Sequence, residues 1–124
     1  MNDTTTTTKK SYSATFPCGT VKTRNSKNTY THAWLVIIKV DEAISHPMFT
    51  VPAGWTMSES GFASSGKNAA SAANQVFNRW TLHRELNSRN PYCQQQVRKY
   101  KATLPAVIQK LEASTTVEVV TVNP

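Results

Sequence analysis

Acidic residues are scarce here: seven Asp and Glu stand against fourteen Lys and Arg, a formal net charge of +7. With so few carboxylates, no two fall at the spacing of an acid/base pair. No Ser sits in G-x-S-x-G and neither Cys has a local catalytic partner, so the motifs of acyl transfer are missing. Cys18 and Cys93 lack C-x-x-C spacing, which argues against a disulfide framework or a zinc site and for reduced, structural thiols. His32, His46 and His83 have no Asp or Glu at ligand spacing. His32 and His83 therefore read as buried or half-buried packing residues, not metal ligands. No window approaches the roughly 18 apolar residues of a membrane-spanning helix, and the first twelve residues lack the apolar stretch of a secretory signal. The expectation is a cytosolic, non-enzymatic protein without metal, cofactor or membrane partner.

What is present narrows the class further. A chain of 124 residues with 39% hydrophobic content can bury one core. Residues 1–12, opening with MNDTTTTTKK, are nearly free of apolar side chains and read as a disordered arm. Residues 13–124 read as a single domain. A sequence pI near 9.7 gives a surface field that attracts phosphates, nucleic acids or acidic proteins.

Apolar residues around Pro17 and Gly19 suit a strand and a turn, and the cationic stretch 24–28 reads as a hairpin connection. TYTHAWLVIIKV is rich in β-branched and aromatic residues and reads as the best strand. Along it Tyr30, His32, Trp34, Val36 and Ile38 share one face. Residues 41–61 read as a meander in which MFTV forms an edge strand. From Ser64, the recurrence of Ala69, Ala72, Ala73, Val76, Phe77, Trp80 and His83 at three- and four-residue intervals predicts an amphipathic helix to about Asn87. Asn90 and Pro91 supply a cap and first-turn proline for a helix to about 103. Pro105 interrupts it, PAVIQKLEAS predicts a third helix, and TVEVVTV a closing strand. Strands, then helices, then a strand predict an α+β domain. Its expected form is an antiparallel sheet of about four strands packed by one long amphipathic helix and two shorter C-terminal helices.

Three stretches carry candidate chemistry. GFASSGKN, residues 61–68, matches G-x-x-x-x-G-K, but Asn68 stands where a nucleotide-hydrolysing loop needs the Ser or Thr that holds magnesium. The plain reading is a capped helix start, with Ser64 or Ser65 bonding a first-turn amide. Even so, a helix start at Ser64, Ser65, Gly66 and Lys67 offers N–H groups to an anion, with Phe62 at its lip. In KTRNSKNTYTHAW, residues 22–34, Lys22, Arg24 and Ser26 alternate to one side of an extended chain, followed by Tyr30. Arg forks onto phosphate oxygens, Ser donates a neutral bond, and Tyr is a ring on which a base can stack. The plain alternative is a solvated hairpin. QVRKYK, residues 96–101, with Arg98, Lys99 and Lys101 around Tyr100, is either a nucleic-acid stripe or the wet face of a helix.

K-x-R-x-S-x-x-x-Y-T-H leads into a strand. A tryptophan-bearing meander follows, then G-F-x-S-S-x-x-N-A-x-x-A-A and a Val-rich terminal strand. The arrangement resembles small bacteriophage anti-defence proteins, and among them most the Thoeris anti-defence sponges. The likeness covers about residues 19–87 and the last strand. It implies non-enzymatic capture of a cyclic nucleotide immune signal, a cyclic ADP-ribose isomer or a cyclic oligonucleotide, by a homo-oligomer in the cytoplasm of the infected bacterial host. Matching positions carried over as ligand contacts are Arg24, Tyr30, Phe62, Ser64 and Ser65. Segment 88–113 has no counterpart, so Arg89, Asn90 and Arg98 enter only from charge and turn position. The alternatives are a basic nucleic-acid-binding protein, or an inhibitor that blocks a host defence complex through its surface with Trp55 or Trp80 as anchor.

Overall fold

A computed structural model gives the fold and describes residues 9–122. The class is α+β, with antiparallel strands and four helices among the described residues. Residues 1–8 of the expected arm lie outside the described residues. Lys10, Ser11 and Tyr12, which composition assigns to that arm, open the first strand instead, because Tyr12 is buried there. The seven strands found among the described residues form three small sheets, ordered β1-β2, β6-β3-β7 and β4-β5. The chain divides into two compact units. Among the described residues, one comprises 9–35, Ser60–Ala73 and 118–122; the other comprises Val36–Glu59 and Asn74–Val117.

In the first unit, β1 (Lys10–Thr15) and β2 (Val21–Ser26) form an antiparallel hairpin in which Tyr12 lies opposite Arg24 and Ala14 opposite Lys22. Its turn is at Pro17–Thr20, closed by the Phe16 amide on the Thr20 carbonyl at 2.9 Å. Gly19 has φ +93°, a left-handed conformation that glycine adopts without a Cβ clash. The expected connection at 24–28 is therefore corrected, since residues 24–26 belong to β2. Only Lys22 and Ser26 of β2 are even half-buried, so its composition reads as loop. The first half of β3 (His32–Lys39) buries Ala33 and Leu35. The Thr31 amide bonds the Ala63 carbonyl at 3.0 Å, at the end of β6 (Thr56–Ala63), and the Val122 amide bonds the Thr31 carbonyl at 3.0 Å, just past β7 (Thr115–Thr121). The opening of α1 (Gly66–Trp80) buries Ala69 and Ala73.

The second unit holds a core of Ile38, Val40, Ile44, Val51, Leu82, Leu104, Val107, Ile108 and Leu111. Met48, Phe49, Trp55, Met57, Trp80, Val97 and Tyr100 pack against it. β4 (Ile44–His46) and β5 (Phe49–Val51) form the hairpin that contains the expected MFTV strand. The rest of the meander needs correction: Thr56–Ala63 is an eight-residue strand, antiparallel to β3, with the Val40 amide on the Trp55 carbonyl at 2.9 Å. α1 ends at Trp80, short of the expected Asn87. Leu82 takes φ +68° to reach the core, and α2 (His83–Leu86) resumes the helix for four residues. A left-handed leucine costs about 1–2 kcal/mol, which its burial can offset. α3 (Pro91–Lys99) starts as expected, with Asn90 Oδ1 accepting the Tyr92 and Cys93 amides at 2.9 and 3.3 Å. α4 (Leu104–Ala113) carries Pro105 in its first turn, where its missing donor costs nothing. Among the described residues, no helix is long and apolar enough to cross a membrane.

Candidate functional site

Strand alternation sends Tyr30, His32 and Trp34 to one side of the β3 segment, and hairpin register puts Arg24 beside Tyr12 on one face of β1-β2. These two placements build an aromatic array. The Tyr12 and Tyr30 rings meet edge to face at 5.3 Å between centroids, and Tyr30 tilts against Phe62 at 5.8 Å. The Arg24 guanidinium lies 5.3 Å from the Tyr30 ring centre, a cation–π contact. The Tyr12 hydroxyl donates to the Asn28 carbonyl at 2.9 Å, and Ser26 Oγ accepts the Asn28 amide at 3.1 Å. These bonds fix the segment between β2 and β3.

Asn28 Nδ2 donates to the Tyr30 hydroxyl at 3.4 Å. That bond, then one with Ser26 and the positive charge of Arg24, hold the Tyr30 phenol below its ordinary 10.0, with desolvation opposing. Each contact favours the phenolate. A negative group placed here would meet the same donors.

Beside the array lies an open groove of about 580 Å³, within the range of small-ligand sites. Its lining combines three aromatic side chains, Tyr30, Trp34 and Phe62, with Asn28, Thr29, Ser64 and Asn68 as polar groups and Ala63 and Ala72 as small wall residues. At the helix start, Ser65 Oγ accepts the Asn68 amide at 3.1 Å, the expected cap. Asn68 Nδ2 donates to Ser64 Oγ at 3.2 Å, which presents both polar groups together. Gly66 lies against His32: a Cβ there would come within 3.3 Å of the imidazole Nε2.

Of the residues proposed from sequence, Tyr30, Phe62 and Ser64 line the groove, Arg24 joins through the Tyr30 ring, and Ser26 through Asn28. Lys22, Ser65, Gly66 and Lys67 belong to the same unit but do not line it. Arg89, Asn90 and Arg98 fall in the other unit, where Asn90 is occupied as the α3 cap. Sequence reasoning did not name Trp34, Asn28 or Asn68 as contacts. The signal for Trp34 was its place on the face of Tyr30 and His32. In the sequence Asn68 stands out only for the hydroxyl it lacks. The G-x-x-x-x-G-K context also fails, because the strand before it, β6, is an edge strand antiparallel to its neighbour.

The second unit has its own polar groove of about 560 Å³, lined by Gln75, Asn78, Arg79, His83, Arg84, Asn87 and Ser88. Arg79 lies 3.5 Å from Glu59, and His83 Nε2 lies 2.9 Å from Glu112 Oε2. Arg84 makes no ion pair among the described residues. No group of His, Cys, Asp and Glu able to hold a metal occurs among the described residues. No family model, curated protein or solved structure matches this chain.

Proposed function

We propose that the aromatic groove binds a phosphorylated nucleotide without turning it over. The observation that carries this is the meeting of three rings with clustered amide and hydroxyl groups around one opening of about 580 Å³, one of those rings, Tyr30, carrying the Arg24 guanidinium against it. A nucleotide offers flat bases for rings and phosphate oxygens for a guanidinium and neutral donors. The resemblance described above makes a cyclic ADP-ribose isomer or a cyclic oligonucleotide the first ligands to test. In that role the protein sequesters an immune signal made by the infected bacterium, as a homo-oligomer. Sequestration is stoichiometric, so binding has to be tight: a micromolar complex already requires about 8 kcal/mol. A bond to a charged group contributes about 1.5–3 kcal/mol and a base–aromatic stack about 1–3 kcal/mol. Several such contacts must therefore act together.

Calorimetry with cyclic ADP-ribose isomers and cyclic oligonucleotides tests the reading. The expected result is saturable binding to the wild type, weakened about ten- to a hundredfold by Arg24→Ala, the value of one charge-assisted bond. No heat from any of these ligands at micromolar protein, or Arg24→Ala matching the wild type, contradicts it. A second reading, binding of nucleic acid, is favoured by the Arg79, His83 and Arg84 groove and by the net charge of +7. It requires affinity for single- or double-stranded DNA or RNA that falls linearly with salt on a log-log plot.

A further inference from the structure

We infer that Trp34, and not Tyr30, is the plate on which the ligand's base stacks, and that Gly61 is the residue that makes its seat. The inference rests on the nucleotide-binding reading and sharpens it. Tyr30 is the ring that the sequence pattern favours for stacking, yet it is already engaged. Arg24 lies over it, Tyr12 meets it edge to face, and Phe62 leans against it. Those contacts make Tyr30 a hub that positions Arg24. Trp34 is different. It is half-buried, lines the groove, and makes no ring contact with another aromatic residue among those described.

The indole takes this place because residue 61 has no side chain. A Cβ on Gly61 would lie 2.7 Å from Trp34 Nε1 and 2.9 Å from both Cε2 and Cζ2, closer than van der Waals contact allows. The colliding atoms belong to a rigid bicyclic ring, so the clash can be relieved only by moving the whole indole. The backbone φ at Gly61 is not positive, so it is space, not conformation, that requires glycine there. One side of the indole is thereby pressed onto the β6 strand. The groove is left bounded by the largest apolar plate the chain can offer, next to the Ser64–Asn68 pair. Such a floor selects for ligands that carry a flat heteroaromatic base and discriminates against sugar phosphates that lack one.

The test compares calorimetric affinities of wild type, Trp34→Ala, Trp34→Phe, Gly61→Ala and Arg24→Ala for the cyclic ADP-ribose isomer or cyclic dinucleotide that binds the wild type, with ribose 5-phosphate as the base-free probe. Trp34→Ala is expected to weaken the base-bearing ligand about five- to a hundredfold, the range of one base–aromatic stack. Trp34→Phe should recover part of this, and Gly61→Ala should weaken binding while the thermal melt still shows a folded protein. Ribose 5-phosphate should respond to Arg24→Ala but not to Trp34→Ala. If Trp34→Ala does not fold, Trp34→Phe carries the test through the loss of ligand-induced indole quenching. Trp34→Ala and Gly61→Ala binding within twofold of wild type, while Arg24→Ala is impaired, overturns the assignment of Trp34 and leaves the binding reading intact. No binding by the wild type, or no effect of any substitution, overturns both.

Discussion

Trp34 and Trp80 are the same residue type put to opposite uses. Trp80 packs with Trp55 at 5.8 Å between ring centroids against the aliphatic core of its unit, and its Nε1 donates to Glu59 Oε2 at 2.7 Å. Its apolar surface and its one polar atom are both satisfied within the fold. Trp34 borders an open groove, and its Nε1 donates to no described residue. A buried polar group without a partner costs free energy, so folds satisfy them where they can. An indole that borders an open groove leaves apolar surface where something else can complete the contacts. The comparison separates an aromatic residue that holds the protein together from one that the proposed function assigns to a ligand.

The comparison can be strained first at its structural pole. Leu111 is fully buried in the core against which Trp80 packs, and Leu111→Ala should cost about 2–5 kcal/mol in a denaturant titration. Calorimetric affinity of the folded variant at the Tyr30 groove should stay at the wild-type value. A smaller effect is expected from Glu59→Ala, which removes the acceptor of the Trp80 indole. Glu59 is about one-third exposed, so water can replace part of the bond and the loss should be about 1 kcal/mol. At the functional pole, Arg24→Ala should leave stability within about 0.5 kcal/mol, as for exposed substitutions, while impairing ligand binding.

The smallest effect concerns Tyr30. Its phenol is held below 10.0 by Asn28 first, then Ser26 and Arg24. The folded state thus favours the phenolate, so this contact adds stability that is present above the unfolded value and lost as pH falls through the folded one. In a pH titration of the Tyr30 ring followed by NMR, the phenol should ionise below 10.0, and Asn28→Ala should move it back toward 10.0. A Tyr30 titration that Asn28→Ala leaves unchanged would show that the Asn28–Tyr30 contact does not form.

The parts legible in the sequence are those whose burial matches a period. β3 was readable because Leu35, Val36 and Ile38 are buried in a β-branched run, and α1 because Ala69, Ala73 and Val76 are buried at helical intervals. β6 was not, for a physical reason: its inward-leaning positions include Met57, Glu59 and Gly61, so no hydrophobic alternation shows. Glu59 serves as the Trp80 acceptor and Gly61 as the Trp34 seat, and both roles depend on partners distant in sequence. β2 was hidden because it is exposed, and the α1–α2 break because nothing local announces a left-handed Leu82. At the site, Tyr30, Phe62 and Ser64 stand out singly in the sequence, whereas Arg24 lying on Tyr30 requires the hairpin register of Tyr12 with Arg24.

The most direct measurement follows the indole N–H resonances of Trp34, Trp55 and Trp80 by two-dimensional NMR while a cyclic ADP-ribose isomer or cyclic dinucleotide is added. Binding at the aromatic groove predicts that the Trp34 resonance shifts saturably while that of Trp80, bonded to Glu59, stays in place. A saturable shift of Trp80 with Trp34 unmoved, or no shift of either at a ligand excess, would contradict the assignment of the groove.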